Sequence, residues 1–208
     1  MKKKRLYPYV FPKLGRWFYP KAIYQGPDAK SLYLTFDDGP TPEITQWVMK
    51  ELDKYQGKGT FFLIGDKAER FPEAFRQALN SGHQIGHHTQ HHVNGFKTPD
   101  SEYFKEVEAV PSEMKTTLFR PPYGRIRRSQ YRRLAQKYQV VLWDVLSGDF
   151  DLNATGEDCA KAVIQNAKGG SVVVFHDSEK AWDRLKIALP MVLKHFAEKG
   201  YTFKALPA

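Results

Sequence analysis

The 208-residue chain has a single cysteine, Cys159, so it cannot form an internal disulfide. That lone thiol sits in a polar, helix-patterned stretch and reads as structural. No apolar run approaches the roughly 18 residues that would cross a bilayer, so no transmembrane segment is expected. No stretch interleaves arginine with aromatics in a nucleic-acid-binding pattern, which removes nucleic acid as a partner. Repeats, low-complexity tracts and internal linkers are also missing. Met1-Lys2-Lys3-Lys4-Arg5 has the charge of a secretory leader. The segment after it, Leu6-Tyr7-Pro8-Tyr9-Val10-Phe11-Pro12, is broken by prolines where a leader needs about 7–15 apolar residues. The expectation is a cytoplasmic protein, with non-classical export or surface association as the other route. Oligomeric state is not encoded.

What is present is a soluble, single-domain composition. Hydrophobic residues make up 41% and charged residues 26%, over a length that can bury a sizeable core. The net charge of +9 favours acidic partners such as an anionic glycan. Residues 1–30 carry six lysines among prolines and aromatics and read as a basic, aromatic arm. Residues 31–208 read as the globular domain. Strands are expected at 32–36, 60–65, 84–88, 118–120, 140–146, 172–176 and 201–206. Helices are expected near 43–55, 72–81, 101–115, 129–138, 156–167 and 183–199, the first capped by Thr41 ahead of Pro42. Such alternation is the pattern of an α/β fold with parallel strands.

The polar residues then fall at the ends of those strands. Thr35-Phe36-Asp37-Asp38-Gly39-Pro40 closes the first. The bland reading is a turn, since Asp, Gly and Pro are turn residues. Yet two adjacent carboxylates need a cation, a proton or a division of labour, and alternation along a strand points them in different directions. Gly82–His92 holds five of the seven histidines, with His87/His91 and His88/His92 both spaced by four. On one helical turn either pair could share an ion, and a carboxylate would complete a two-histidine, one-carboxylate site. Spacing does not choose between the pairs. Arg120 and His176-Asp177 end further strands and Asp149 lies just past the fifth, on the edge where parallel α/β barrels gather catalytic groups.

Taken together these segments resemble the polysaccharide deacetylase family, the NodB-homology domain of carbohydrate esterase family 4. The resemblance rests on Thr35–Pro40, on Gly82–His92 with Thr89 directly after His88, on Arg120-Pro121-Pro122-Tyr123-Gly124, and on Val174-Phe175-His176. It implies a distorted (β/α) barrel, TIM-barrel-like, with about seven parallel strands. It also implies a metal-dependent hydrolase that removes acetyl groups from a carbohydrate, most often the N-acetyl of a GlcNAc-containing glycan. Asp38, His88 and His92 would hold Zn²⁺, or another divalent ion such as Co²⁺ or Ni²⁺. Asp37 would be the general base, oriented by Arg120. The Tyr123 N–H would stabilise the oxyanion, and His176 would protonate the leaving amine. Tyr123, Phe150, Asp149 and Trp182 are the expected substrate-binding residues. Two further outcomes fit the same motifs: action on a different small or O-acetylated substrate, or a weakly active metal- or glycan-binding relative.

One motif departs from the family. Asp-x-x-Asp-Trp aligns with Leu146-Ser147-Gly148-Asp149-Phe150, so leucine stands where the family has the aspartate that bonds the catalytic histidine. On that alignment His176 loses its partner and is protonated less readily, unless Asp144, Asp149 or Asp151 supplies the charge.

Overall fold

The computed structural model describes residues 8–208; the charged start Met1–Arg5 lies outside the described residues. The chain runs α1 (Lys13–Phe18), β1 (Ser31–Asp37), α2 (Ile44–Asp53), β2 (Thr60–Leu63), α3 (Gly65–Arg70), α4 (Pro72–Asn80) and β3 (Gln84–His87). It continues through α5 (Asp100–Glu108), β4 (Leu118–Phe119), α6 (Arg128–Leu134), β5 (Gln139–Val140) and β6 (Val145–Leu146). The last elements are α7 (Gly156–Asn166), β7 (Val172–His176), α8 (Trp182–Glu198) and β8 (Thr202–Phe203).

All seven residues of β1 are buried, because both faces of this strand are covered. That explains why it reads as a continuous apolar run rather than an alternating one. The sheet order is β5-β4-β3-β2-β1-β7-β6, with β8 added beside the start of β1. Every ladder is parallel, and the sheet curls into the TIM-like half-barrel that the sequence suggests. Phe36 anchors the main core, with Phe61 at 5.0 Å on one side and Phe175 at 6.1 Å on the other.

Three local expectations change. The strand expected over 140–146 is two short pieces, β5 and β6, at opposite ends of the sheet order. Between them the backbone leaves the ladder and pairs with the N-terminal arm. Ile23 and Val140, Leu142 and Ile23, Phe11 and Asp144, and Leu146 and Tyr9 exchange main-chain bonds of 2.7–3.1 Å. The arm therefore closes the seam of the half-barrel. The helix expected over 101–115 stops at Glu108, because Pro111 disfavours helical geometry at Val110. The first long helix starts at Ile44 rather than at Pro42: Glu43 is left-handed (φ 65°), and the Thr41 N–H is taken by the Thr45 hydroxyl at 2.8 Å.

Candidate active site

Parallel strands deliver their carboxyl ends to one edge, and the register decides which residues meet there. Asp37 of β1 lies directly across from His176 of β7, and Leu146 across from Val174. His88 follows β3 and Arg120 follows β4, two adjacent strands. The result is a cleft of about 840 Å³. Asp37, Asp38, His88, His92 and His176 face it, Trp143, Leu146, Phe150 and Val174 form an apolar wall, and Pro8, Phe11 and Pro12 come from the arm.

The aspartate pair divides. Asp37 ends the strand in extended geometry, whereas Asp38 turns left-handed (φ 77°), so the two carboxylates separate. Arg120 claims Asp37: its Nη1 donates to Asp37 Oδ1 and to Thr35 Oγ1, both at 2.7 Å. Nη2 donates to the Leu142 carbonyl at 3.0 Å, and Phe62 lies under the guanidinium at 4.1 Å. This arginine is fully buried, with side-chain hydrogen bonds to β1 and to the seam. Burial draws its pKa down and the Asp37 charge works the other way.

Asp38 faces the histidines instead. Its Oδ1 is buried without a hydrogen-bond donor, 3.2 Å from His92 Nε2 and 3.9 Å from His88 Nε2. Burial disfavours the Asp38 carboxylate, but His92, His176 and His88 outweigh it and hold the group below the usual carboxylate range. His88 Nδ1 lies 2.6 Å from the Arg120 carbonyl. A carbonyl only accepts, so Nδ1 carries the proton and Nε2 is left as a bare lone pair. Burial pushes the His88 imidazole down to about 4, which keeps it neutral. One ligand atom from each of Asp38, His88 and His92 lies within 4.8 Å of the others. An orphaned carboxylate oxygen and a neutral imidazole with a free lone pair fit a divalent cation.

The other histidine pair is built differently. His87 is stacked on Phe119 at 4.8 Å inside the wall, and His91 is exposed against Glu106 at 2.9 Å. The tract is not a helical turn. Thr89 (φ 64°) and His92 (φ 56°) are left-handed, and this tight loop brings the His88 and His92 rings to 4.9 Å.

His176 keeps a carboxylate partner, which corrects the reading of Leu146. Asp149 Oδ1 meets His176 Nδ1 at 2.7 Å while its Oδ2 accepts the His176 N–H at 2.8 Å. Burial lowers the imidazole pKa, yet Asp149, with Asp38 and Asp37 behind it, raises it to about 9. Asp149 is fully buried behind the histidine, so it supports His176 rather than lining the cleft. Leu146 belongs to the apolar wall. Asp151 is half-buried and accepts from the Asn153 amide, and Asp144 holds Arg16, Gln25 and Ser171, away from the histidine. Arg184 of α8 fixes the Asp149 carbonyl at 2.6 Å. No sequence pattern singled out that arginine.

Tyr123 sits at the rim, left-handed (φ 61°) and 60% exposed, with its ring 4.6 Å from His92. Gly124 follows at φ 64°, where a Cβ would lie 2.3 Å from the Trp143 ring. Phe150 packs edge-on to His176 at 5.4 Å. Trp182 is placed elsewhere: it starts α8, meets Trp47 of α2 edge-on at 5.0 Å, and is not part of the cleft. Asp177 points away from the cleft, buried and bonded to Thr45, with burial raising it to about 7. It occupies the space that a Cβ on Gly39 would need, 2.2 Å away.

A family model described as "Polysaccharide deacetylase" matches residues 24–143. A peptidoglycan-N-acetylglucosamine deacetylase of Bacillus cereus is 33% identical over 181 residues, covering 84% of this chain and 85% of that protein. Bacillus subtilis PdaC, a peptidoglycan-N-acetylmuramic acid deacetylase, is 30% identical over 88% of this chain and 39% of its own length. The crystal structure of the Bc1960 peptidoglycan N-acetylglucosamine deacetylase, bound to an N-hydroxybenzamide, superposes with a TM-score of 0.85 at 29% identity, covering 95% of both chains.

Proposed function

Taking as premise that this chain belongs to the polysaccharide deacetylase family, we propose that it is a metal-dependent hydrolase removing N-acetyl groups from a GlcNAc-containing glycan of the peptidoglycan type. The observation that carries the reading is the divided aspartate pair, one carboxylate held by Arg120 and the other facing two histidines. Asp38, His88 and His92 would hold Zn²⁺, or Co²⁺ or Ni²⁺ in its place. Such an ion supplies Lewis-acid polarisation of the acetyl carbonyl and a water of lowered pKa.

The remaining chemistry belongs to the residues of this chain. Asp37, aligned by Arg120, takes the proton of the attacking water as its oxygen bonds to the acetyl carbon. The Tyr123 N–H stabilises the oxyanion. As the C–N bond breaks, His176 passes a proton to the departing amine and Asp149 steadies the imidazolium. Leu146, Phe150 and Val174 exclude water from the acetyl methyl, and Tyr123 and Phe150 offer ring faces to the sugar.

The test is acetate release from GlcNAc oligomers and from peptidoglycan, with chelator and with added Zn²⁺. Activity that is abolished by chelation and restored by the ion supports the reading; activity indifferent to chelation overturns it. Location is tested separately. A cytoplasmic address is the sequence expectation, and a wall polymer lies outside the membrane. No helix among the described residues is long and apolar enough to cross a membrane. Cell fractionation decides between the two compartments.

A further inference from the structure

The arm has a property that the cleft chemistry does not use. Nine large apolar side chains of the described residues are exposed, and four of them fall within residues 10–18: Val10 (41%), Leu14 (81%), Trp17 (77%) and Phe18 (49%). The other five are scattered along the chain. Trp17 and Phe18 touch each other edge-on at 5.6 Å. An exposed apolar cluster of this kind marks a contact surface.

The cluster cannot simply fold inward, because its base is fastened from the other side. Arg16 bonds Asp144 at 2.5 Å and lies over the Tyr24 ring at 4.9 Å. The Tyr19 hydroxyl donates to the Ile126 carbonyl at 2.7 Å, and its ring meets Tyr131 at 5.0 Å. The Lys21 N–H donates to the Tyr131 hydroxyl at 2.9 Å. These bonds hold the arm to the barrel while Leu14, Trp17 and Phe18 stay in water.

Charge selects the occupant. Residues 1–27 contain seven lysines and arginines and no aspartate or glutamate. Helix α6, onto which Tyr19 packs through Tyr131, adds the exposed Arg128 and Arg132. A second copy of so basic a face would be repelled, and a neutral glycan makes no use of the charge. Apolar insertion combined with a basic cluster is the two-signal arrangement that binds a protein to an anionic bilayer. We infer that the N-terminal arm docks onto an anionic lipid surface, inserting Leu14, Trp17 and Phe18 while basic residues of the arm and of α6, among them Lys21, Arg128 and Arg132, meet lipid phosphates. The same arm lends Pro8, Phe11 and Pro12 to the cleft wall, so docking sets the cleft mouth beside the lipid headgroups.

The test is co-sedimentation of the full chain with vesicles of phosphatidylcholine mixed with phosphatidylglycerol, against pure phosphatidylcholine. Binding to the anionic vesicles only, weakened by salt and accompanied by a blue shift of tryptophan emission, is the expected result. The combined Leu14→Ser, Trp17→Ser, Phe18→Ser variant should lower the bound fraction at least about tenfold. Its melting temperature should hold, since the three side chains are exposed. Replacing Lys21, Arg128 and Arg132 by glutamine should weaken binding about fivefold per charge removed, up to saturation of the effect. Absence of binding to anionic vesicles overturns the proposal, as does equal binding by the triple variant. Self-association that the triple variant abolishes would assign the face to a second copy and also overturn it.

Discussion

Replacing Asp149 by asparagine isolates the proton chemistry of His176. The variant keeps an oxygen for the His176 N–H, which Asp149 Oδ2 accepts at 2.8 Å, but removes the charge that faces Nδ1 at 2.7 Å. In the native protein burial works against the imidazolium and Asp149 is the foremost group favouring it, raising the pKa from 6.5 to about 9. Without that charge the histidine returns to 6.5 or below. At pH 8 a pKa of 9 leaves about nine-tenths of the acid protonated, and a pKa of 6.5 leaves about one-thirtieth. A general acid must carry its proton, so the alkaline limb of kcat against pH should move down by at least about two units. The loss should be about 30-fold at pH 8 and small at pH 6. A divalent ion nearby lowers the limb in both enzymes, so the difference between them is the diagnostic quantity. Stability follows with a defined sign. Because the folded pKa is raised, the contribution of about 3 kcal/mol is complete below pH 6.5 and disappears as pH rises through 9. Superimposable pH profiles for the two enzymes would refute the pairing as the source of the acid.

Three further changes probe the rest of the site. Arg120→Met strands Asp37 and Thr35 in the interior, so kcat should fall at least about 100-fold and stability by about 3–5 kcal/mol, read by acetate release and thermal denaturation. His88→Ala should lower bound metal at least about tenfold by elemental analysis, whereas His91→Ala, exposed on Glu106, should leave it unchanged. Leu146→Asp restores the residue type expected of the family motif but sets a carboxylate in the apolar wall. Because Asp149 already serves His176, kcat/KM should drop about tenfold or more; a gain in activity would show that Leu146 is a lost partner after all.

Much of the site is readable from the chain because the proposed catalytic groups follow strands directly, and strand ends are marked by apolar runs. Asp37, Asp38, His88, Arg120 and His176 all meet at the cleft or behind it for this reason. What escapes the reading depends on register in space. Leu146 and Asp149 are three residues apart, and only the turn through Gly148 shows that Asp149 reaches His176. The run 140–146 is apolar apart from Asp144, so little in it marks where it leaves one ladder for another; between the two ladders it bonds to the arm, more than a hundred residues away. Trp182 reads in sequence either as a sugar platform or as a core anchor at the start of the last helix, and space decides for the anchor, because its partner Trp47 lies on a distant element. Arg184 carries no signal at all, being one arginine on an amphipathic helix until its Nε meets the Asp149 carbonyl.

Arg120 has a mechanical consequence. Its carbonyl holds the imidazole of one proposed metal ligand and its guanidinium holds the proposed base, so one residue references both halves of the centre. Two strands that are not neighbours, β1 and β4, are thereby tied across the site by one side chain, and the residue after β3 is tied to the same point by the main chain. A substitution at Arg120 is therefore a change to the proposed base and to the proposed metal ligand at once.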